Sequence, residues 1–265
     1  MLLSKAAVLV VLTLLAGAAS IRQIERRYLF PSREVRFVAP PLSVEQWRFS
    51  ASDGAAVRAL AVSTRTRSGW VVVYFHNNRE TMVEPLCLAR GLAARGVSVV
   101  IPEYRGYGIS RYGAASSEEG LYLDAEATLD ELERRGYNRG RVVLWGTSLG
   151  SGVAAEMARR NRGAVLILVS PYTSISDLVR ERAWINLPKL LLPDRFDTAA
   201  KASQIHVPTL IVHGDADEIV PFAMGKRLAT LIAGATLIRV PAGKHGDLFA
   251  RSGEELLDRI SLFGR

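Results

Sequence analysis

Val142-Val143-Leu144-Trp145-Gly146-Thr147-Ser148-Leu149-Gly150 is the stretch that decides the fold. A short continuous apolar run, Val142 to Trp145, reads as a strand buried on both faces. Gly-x-Ser-x-Gly follows at once, and a helical pattern runs from Leu149 to Arg160. Strand, tight turn and helix in that order lift a serine hydroxyl clear of the sheet. Glycines two residues to either side let the backbone and the neighbouring strand approach closely. The helix that follows points amide N–H groups and the positive end of its dipole at developing negative charge. It is this context, more than the five residues, that marks Ser148 as a candidate nucleophile.

Outward from this turn the same apolar runs recur at Trp70 to Phe75, Val97 to Ile101, Ala164 to Val169, Thr209 to Val212 and Thr236 to Val240. Helical stretches separate them at Met82 to Arg95, Ser117 to Arg135, Phe222 to Ile232 and Glu254 to Leu262. Strand alternating with helix predicts an α/β fold, a parallel sheet covered on both faces, with its working site at the carboxyl ends of the strands. Ahead of these, Glu45 to Ser50 and Val57 to Ser63 alternate about an Asp53-Gly54 turn and predict a β-hairpin.

A serine hydroxyl is a weak nucleophile at neutral pH, so Ser148 requires a histidine base and an acid to orient it, in the chain order Ser, acid, His. Two strand ends supply candidates. Thr209 to Val212 runs into His213-Gly214-Asp215-Ala216-Asp217-Glu218-Ile219-Val220-Pro221, and Thr236 to Val240 runs into Pro241-Ala242-Gly243-Lys244-His245. Polar groups from three separate strand ends can converge on one point at the sheet edge.

With these residues in view, the sequence resembles the α/β-hydrolase superfamily over nearly all of the chain after its first apolar stretch. The resemblance implies a mostly parallel sheet of the eight-stranded type, with helices on both faces and a small cap insertion at about 171–205. It makes Asp217 the acid, leaves Asp215 as a turn-capping residue, and identifies His245 as the base. The oxyanion hole is then expected from the Leu149 N–H and from the loop after Phe75. That loop reads His76-Asn77-Asn78 where the resemblance leads one to expect His-Gly-Asn. Asn78 is assigned as the second donor, with Asn77 as the competing choice, and asparagine at 77 is the non-glycine residue most tolerant of left-handed backbone angles. Pro102-Glu103-Tyr104-Arg105-Gly106-Tyr107-Gly108-Ile109-Ser110, Glu119 to Asp124 and Ser170-Pro171-Tyr172-Thr173-Ser174 are similar to one branch, the membrane-anchored serine hydrolases of the ABHD (alpha/beta-hydrolase domain-containing) type, related to serine aminopeptidase-like sequences. The implied activity is hydrolysis of a carboxylic ester, thioester or amide. An ester or thioester of a lipophilic acyl group ranks first, and a peptide amide or a weak hydrolase-fold binding protein stands as the alternative.

Three segments follow: 1–21 as an N-terminal anchor, 22–43 as a connector and 44–265 as the hydrolase domain. Lys5 precedes an apolar stretch from Ala6 to Ala19, and Arg22, Arg26, Arg27, Arg33 and Arg36 follow it. By the charge rule this predicts an uncleaved single-pass membrane anchor. Cleavage at Ala16-Gly17-Ala18, giving a secreted or periplasmic domain, is the alternative. Tyr28-Leu29-Phe30-Pro31-Ser32 after the anchor fits the same branch. In the insertion, Trp184, Ile185 and Leu187 are expected to line an acyl pocket, against the simpler reading of a helix packed on the core.

Composition narrows the remainder. The 265 residues carry 34 Lys and Arg against 26 Asp and Glu, a formal charge of +8, but the basic residues are spread along the chain with no aromatic-interleaved run, which argues against a nucleic-acid partner. One Cys rules out an intramolecular disulfide, and four scattered His offer no metal-ligand spacing. No metal or organic cofactor is expected. Cys87 is expected in the core, His206 at the surface or in packing, and His213 as strand-end structure. Glu103 with Arg105 is expected to form a local pair, and Tyr104, Tyr107 and Tyr112 to be structural.

Overall fold

The computed structural model describes residue 23 and residues 27–32, 34–64, 69–183, 192–248 and 257–258. Eight strands form one sheet: β1 (Glu45–Ser50), β2 (Ala56–Val62), β3 (Val71–Phe75), β4 (Ser98–Glu103), β5 (Val142–Thr147), β6 (Val165–Val169), β7 (Thr209–Gly214) and β8 (Thr236–Val240). Their order is β1-β2-β4-β3-β5-β6-β7-β8. β1 pairs antiparallel with β2 and β2 with β4, while every pairing from β4 to β8 is parallel. The helices are α1 (Leu86–Ala94), α2 (Glu118–Arg134), α3 (Leu149–Arg159), α4 (Ile175–Ala183), α5 (Thr198–Lys201) and α6 (Phe222–Leu231).

Alternation along each strand sends side chains to two cores. Val71, Val73 and Phe75 face one, with Leu121 and Leu129 of α2, Val153 of α3 and Leu228 of α6. Val72 and Tyr74 face the other, with Leu86, Ala89 and Leu92 of α1. Both faces of the central strands are therefore dry, which is why they read as unbroken apolar runs. The expected hairpin is present, its turn closed by Gly54 at φ 82° and by the Ala55 N–H donating to Asp53 Oδ1 at 3.1 Å. α2 begins where the sequence reading began it: the Ser117 side chain caps the Gly120 N–H, with Glu118 and Glu119 in the first turn.

Several expectations are corrected. α1 starts at Leu86 rather than Met82, because Glu84 accepts from both the N–H and the hydroxyl of Thr81 and folds that segment into a turn. Cys87 is exposed: Leu86 and Ala89 take the inner face of α1, and one helical step turns the thiol outward. Glu103 and Arg105 do not pair, because each is taken up by other partners. Arg105 binds Asp124 and Asp53, while Glu103 packs beside His76. The expected membrane anchor is withdrawn, because among the described residues no helix is long and apolar enough to cross a membrane. Residues 1–21 themselves lie outside the described residues, as does nearly all of the expected helix Glu254 to Leu262. Leu29 and Phe30, expected in a connector, are instead buried in the core, where Phe30 meets the Phe196 ring edge-on at 6.4 Å.

Candidate active site

Ser148 stands between β5 and α3 with φ 51° and ψ −116°, a backbone conformation that L-residues avoid and that costs on the order of 1–3 kcal/mol. The turn fits only because its flanks lack side chains. A Cβ on Gly150 would fall on the carbonyl oxygen of Phe75, and one on Gly146 would meet the Ser151 Cα at 2.6 Å. The Ser148 N–H is tied to the Val169 carbonyl at 2.9 Å, and its own carbonyl accepts from the Ser151 hydroxyl at 2.6 Å. Although Ser148 occupies the N-cap position, its hydroxyl makes no capping bond. Its Oγ lies 3.0 Å from His245 Nε2 instead.

His245 Nδ1 lies 2.8 Å from Asp217 Oδ2. The Asp217 carboxylate, whose side chain is wholly buried, also takes the Ile219 and Val220 N–H groups on Oδ1 at 2.9 and 2.8 Å. Burial pushes this carboxyl up, but hydrogen bonds from His213 and His245, the charge of His245 and the Val220 N–H outweigh it and hold it well below the usual carboxylate range. An ionised Asp217 accepts only, so His245 carries its proton on Nδ1 and presents the Nε2 lone pair to the serine hydroxyl. Ser148, Asp217 and His245, each just past a different strand, are thus brought into one hydrogen-bonded line. Asp215 stands apart as expected, binding Arg239 and capping the Ala242 N–H at 2.6 Å.

One participant was missed. His213, at the end of β7, is wholly buried, with Nε2 3.0 Å from the Val220 carbonyl and 3.3 Å from Asp217 Oδ2. Two acceptors at one nitrogen place the proton there. Its Nδ1 has no hydrogen-bond partner and rests against Gly225, where a Cβ would collide with it. The signal in the sequence was the spacing, a histidine four residues before the acid across a tight turn.

The loop after β3 departs from expectation at Asn77, which does not adopt a positive φ. Its Oδ1 accepts from the Arg79 N–H at 2.7 Å, so an Asx turn does the bending that a glycine would otherwise allow. The Asn77 N–H donates to Glu80 at 3.3 Å, and the Asn77 carbonyl lies 2.8 Å from His76 Nδ1. Burial lifts the Glu80 carboxyl, with the neighbouring Glu84 charge adding to it and His76 and Asn77 offsetting part. The Asn78 side chain donates to the carbonyls of Tyr28 and Leu29 at 3.1 and 3.2 Å. Leu149 is the first residue of α3, where an N–H has no intrahelical acceptor.

Of the insertion, α4 reaches the acid loop: Arg182 Nε donates to the Ile219 carbonyl at 2.9 Å. Trp184, Ile185 and Leu187 lie outside the described residues. Among the described residues no group of three or more His, Cys, Asp or Glu could hold a metal ion.

A family model described as serine aminopeptidase, S33, matches residues 66–196. An uncharacterized protein of Mycobacterium tuberculosis is 34% identical over 179 residues, which is 66% of this chain and 63% of that protein. The lysophosphatidylserine lipase ABHD12 of Danio rerio is 32% identical over 62% of this chain and 47% of its own length, so the match covers less than two thirds of either relative. Among solved structures, Est1E of Butyrivibrio proteoclasticus superposes with a TM-score of 0.69 at 17% identity, covering 82% of this chain and 98% of that one. The Pyrococcus furiosus esterase Pf2001 gives 0.68 at 15% identity, covering 86% and 97%. At these identities the structures speak to the fold alone. Sheet order, the strand-serine-helix turn and the relatives together make this chain a member of the α/β-hydrolase superfamily.

Proposed function

We propose that this chain is a serine hydrolase that cleaves a carboxylic ester or thioester of a lipophilic acyl group. The observation that carries the reading is the unbroken line from Ser148 Oγ through His245 to Asp217, at 3.0 and 2.8 Å. His245 Nε2 takes the hydroxyl proton as Ser148 attacks the substrate carbonyl, and Asp217 holds the imidazole tautomer and stabilises the imidazolium. The tetrahedral oxyanion accepts from the N–H groups of Leu149 and Asn78. With the Asn77 N–H engaged by Glu80, the assignment of Asn78 over Asn77 is favoured. His245 then returns the proton to the leaving alcohol or thiol, and in a second cycle activates the water that releases the acid and restores Ser148.

The acyl preference draws on the lipase relative, whose name describes its own activity. The serine aminopeptidase match favours a second reading, an amidase acting through the same residues.

Labelling of the purified chain by a fluorophosphonate, alongside Ser148→Ala and His245→Ala, tests the reading. Labelling of the parent that disappears in both variants, with turnover of acyl esters exceeding that of aminoacyl amides, is the expected result. Equal labelling of Ser148→Ala would sink the nucleophile assignment, and faster cleavage of amides would transfer the reading to the amidase.

A further inference from the structure

We propose that residues 28–30 form a strap that holds the Asn78 N–H in position, making the segment ahead of β1 part of the active-site machinery; this rests on the assignment of Asn78 as an oxyanion donor.

Both amide hydrogens of Asn78 are spent on one purpose. They meet the backbone carbonyls of Tyr28 and Leu29, consecutive residues nearly fifty positions earlier in the chain. Those carbonyls belong to a segment that is itself anchored. Tyr28 is exposed, but Leu29 and Phe30 are buried, and Phe30 is plugged edge-on against Phe196. Phe196 is in turn fixed by its N–H donating to Glu118 at 2.9 Å, and that carboxylate oxygen also receives the Arg195 N–H at 2.6 Å. A chain of contacts therefore runs from the first turn of α2, through Phe196 and the strap, to the side chain of Asn78.

The strap is not held equally on all sides. Between it and the segment 106–116 opens a cavity of about 450 Å³, bordered by Arg27, Phe30, Ser32, Arg111 and Ser116. With open space on that flank, the Phe30 plug and the two bonds to Asn78 fix the strap against the loop. Asn77, His76 and Glu80 set the inner side of the same loop through their own bonds. Asn78 is the residue at which this inner turn and the outer strap meet. An oxyanion donor works only when its N–H is aimed before the charge develops, and an aim lost by a fraction of an ångström forfeits rate without forfeiting binding. Here that aim is set by amide donors on the Asn78 side chain, which explains why an asparagine, and not merely a small residue, suits this position.

Asn78→Ala keeps the backbone N–H and removes the strap bonds, while Phe30→Ala loosens the strap and leaves Asn78 intact. Expected for Asn78→Ala are a kcat about 10-fold lower or more with KM little changed, and an equal loss of affinity for a boronic-acid transition-state analogue. Phe30→Ala should give a smaller loss of the same kind. The double variant should be no worse than Asn78→Ala alone, since both act through one tie. Hydrogen exchange of the segment 76–80 should quicken in both single variants, a readout that needs no turnover. Parental kcat, analogue affinity and exchange in Asn78→Ala would overturn the strap. Full additivity of the two losses would overturn it too, by showing that they act separately. A Ser148→Ala chain that retains full activity would overturn the serine reading itself and the role of Asn78 with it, even if the exchange behaves as expected.

Discussion

His213 and His245 meet on a single oxygen: Asp217 Oδ2 lies 3.3 Å from His213 Nε2 and 2.8 Å from His245 Nδ1. With Oδ1 held by two backbone N–H groups, every face of the carboxylate is occupied by a donor. Each donor stabilises the charge and makes the carboxylate less basic toward its imidazole partner.

Removing the inner histidine should therefore leave Asp217 a stronger partner for an imidazolium. His213→Leu is expected to move the acid limb of kcat/KM upward by roughly half a pH unit, and His213→Gln, which can still donate, to restore the parental profile. The stability of His213→Leu should fall by about 1–3 kcal/mol, because the buried Val220 carbonyl loses its donor. A pH profile of His213→Leu that superimposes on the parent would show the contact to be structural only.

Asp217→Asn keeps the shape of the acid and inverts its hydrogen bonding. An amide NH₂ turned to His245 drives the ring to the tautomer that carries its proton on Nε2, where it cannot accept from Ser148. A fall in kcat on the order of 10³–10⁴ is expected, with the fold retained by circular dichroism. A loss below tenfold would detach Asp217 from the chemistry.

At Gly150 the nearest obstacles are backbone. An alanine would press its Cβ onto the Phe75 carbonyl and within 2.8 Å of the His76 carbonyl, neither of which can swing aside. Gly150→Ala should lose about 3 kcal/mol and most of its fluorophosphonate labelling, measured by urea unfolding and by gel.

Arg105 ties three parts of the fold. Its guanidinium binds Asp124 of α2 at 2.7 Å and Asp53 of the hairpin turn at 2.6 Å. Arg105→Met strands the buried Asp124 charge and should cost about 3–5 kcal/mol, whereas Arg105→Met with Asp124→Leu should recover a large part. Urea midpoints of the two variants decide it, and equal midpoints would show that the stranded charge is not the source of the loss.

Glu156, on α3, is held down to about 2: burial alone would raise it, but hydrogen bonds from Arg159 and Arg160 and the charge of Lys201 prevail. Its folded value lies below the ordinary 4.5, so the stability it contributes is fully present above about 4.5 and is lost as pH falls toward 2. Glu156→Gln should be less stable than the parent by about 2 kcal/mol at pH 7, and the gap should narrow steadily below pH 4.5. Thermal unfolding across that range checks it, and a gap independent of pH would assign the loss to packing.

Most of the sheet was legible because its central strands are dry on both faces and leave unbroken apolar runs, and the serine turn because its glycines flank a serine at a strand end. What escaped depended on direction or distance. Cys87 sits between apolar neighbours in sequence, yet a helical step carries it outward. Glu103 and Arg105 are adjacent in spacing, but their partners come from Asp124, Asp53 and His76. Asn77 reads as a costly stand-in for glycine until its side chain is seen to make the turn. Leu29 and Phe30 read as connector because the core they join, Phe196 included, is drawn from residues far along the chain. An apolar stretch near the amino terminus was read by hydropathy and charge alone, with no packing partner to weigh against a bilayer.

The Phe30 to Phe196 contact also bears on how the protein is made. The strap is synthesised well before its receptor, so Phe30 leaves the ribosome without its ring partner until β6 and most of the insertion have followed. Pairings of such long sequence separation form slowly and leave apolar surface open in the interval. Nascent chains halted between β5 and Phe196 would therefore carry Phe30 without its partner ring, open to a chaperone or a protease. In the finished protein Leu29 and Phe30 are buried, and their protection marks completion of the fold.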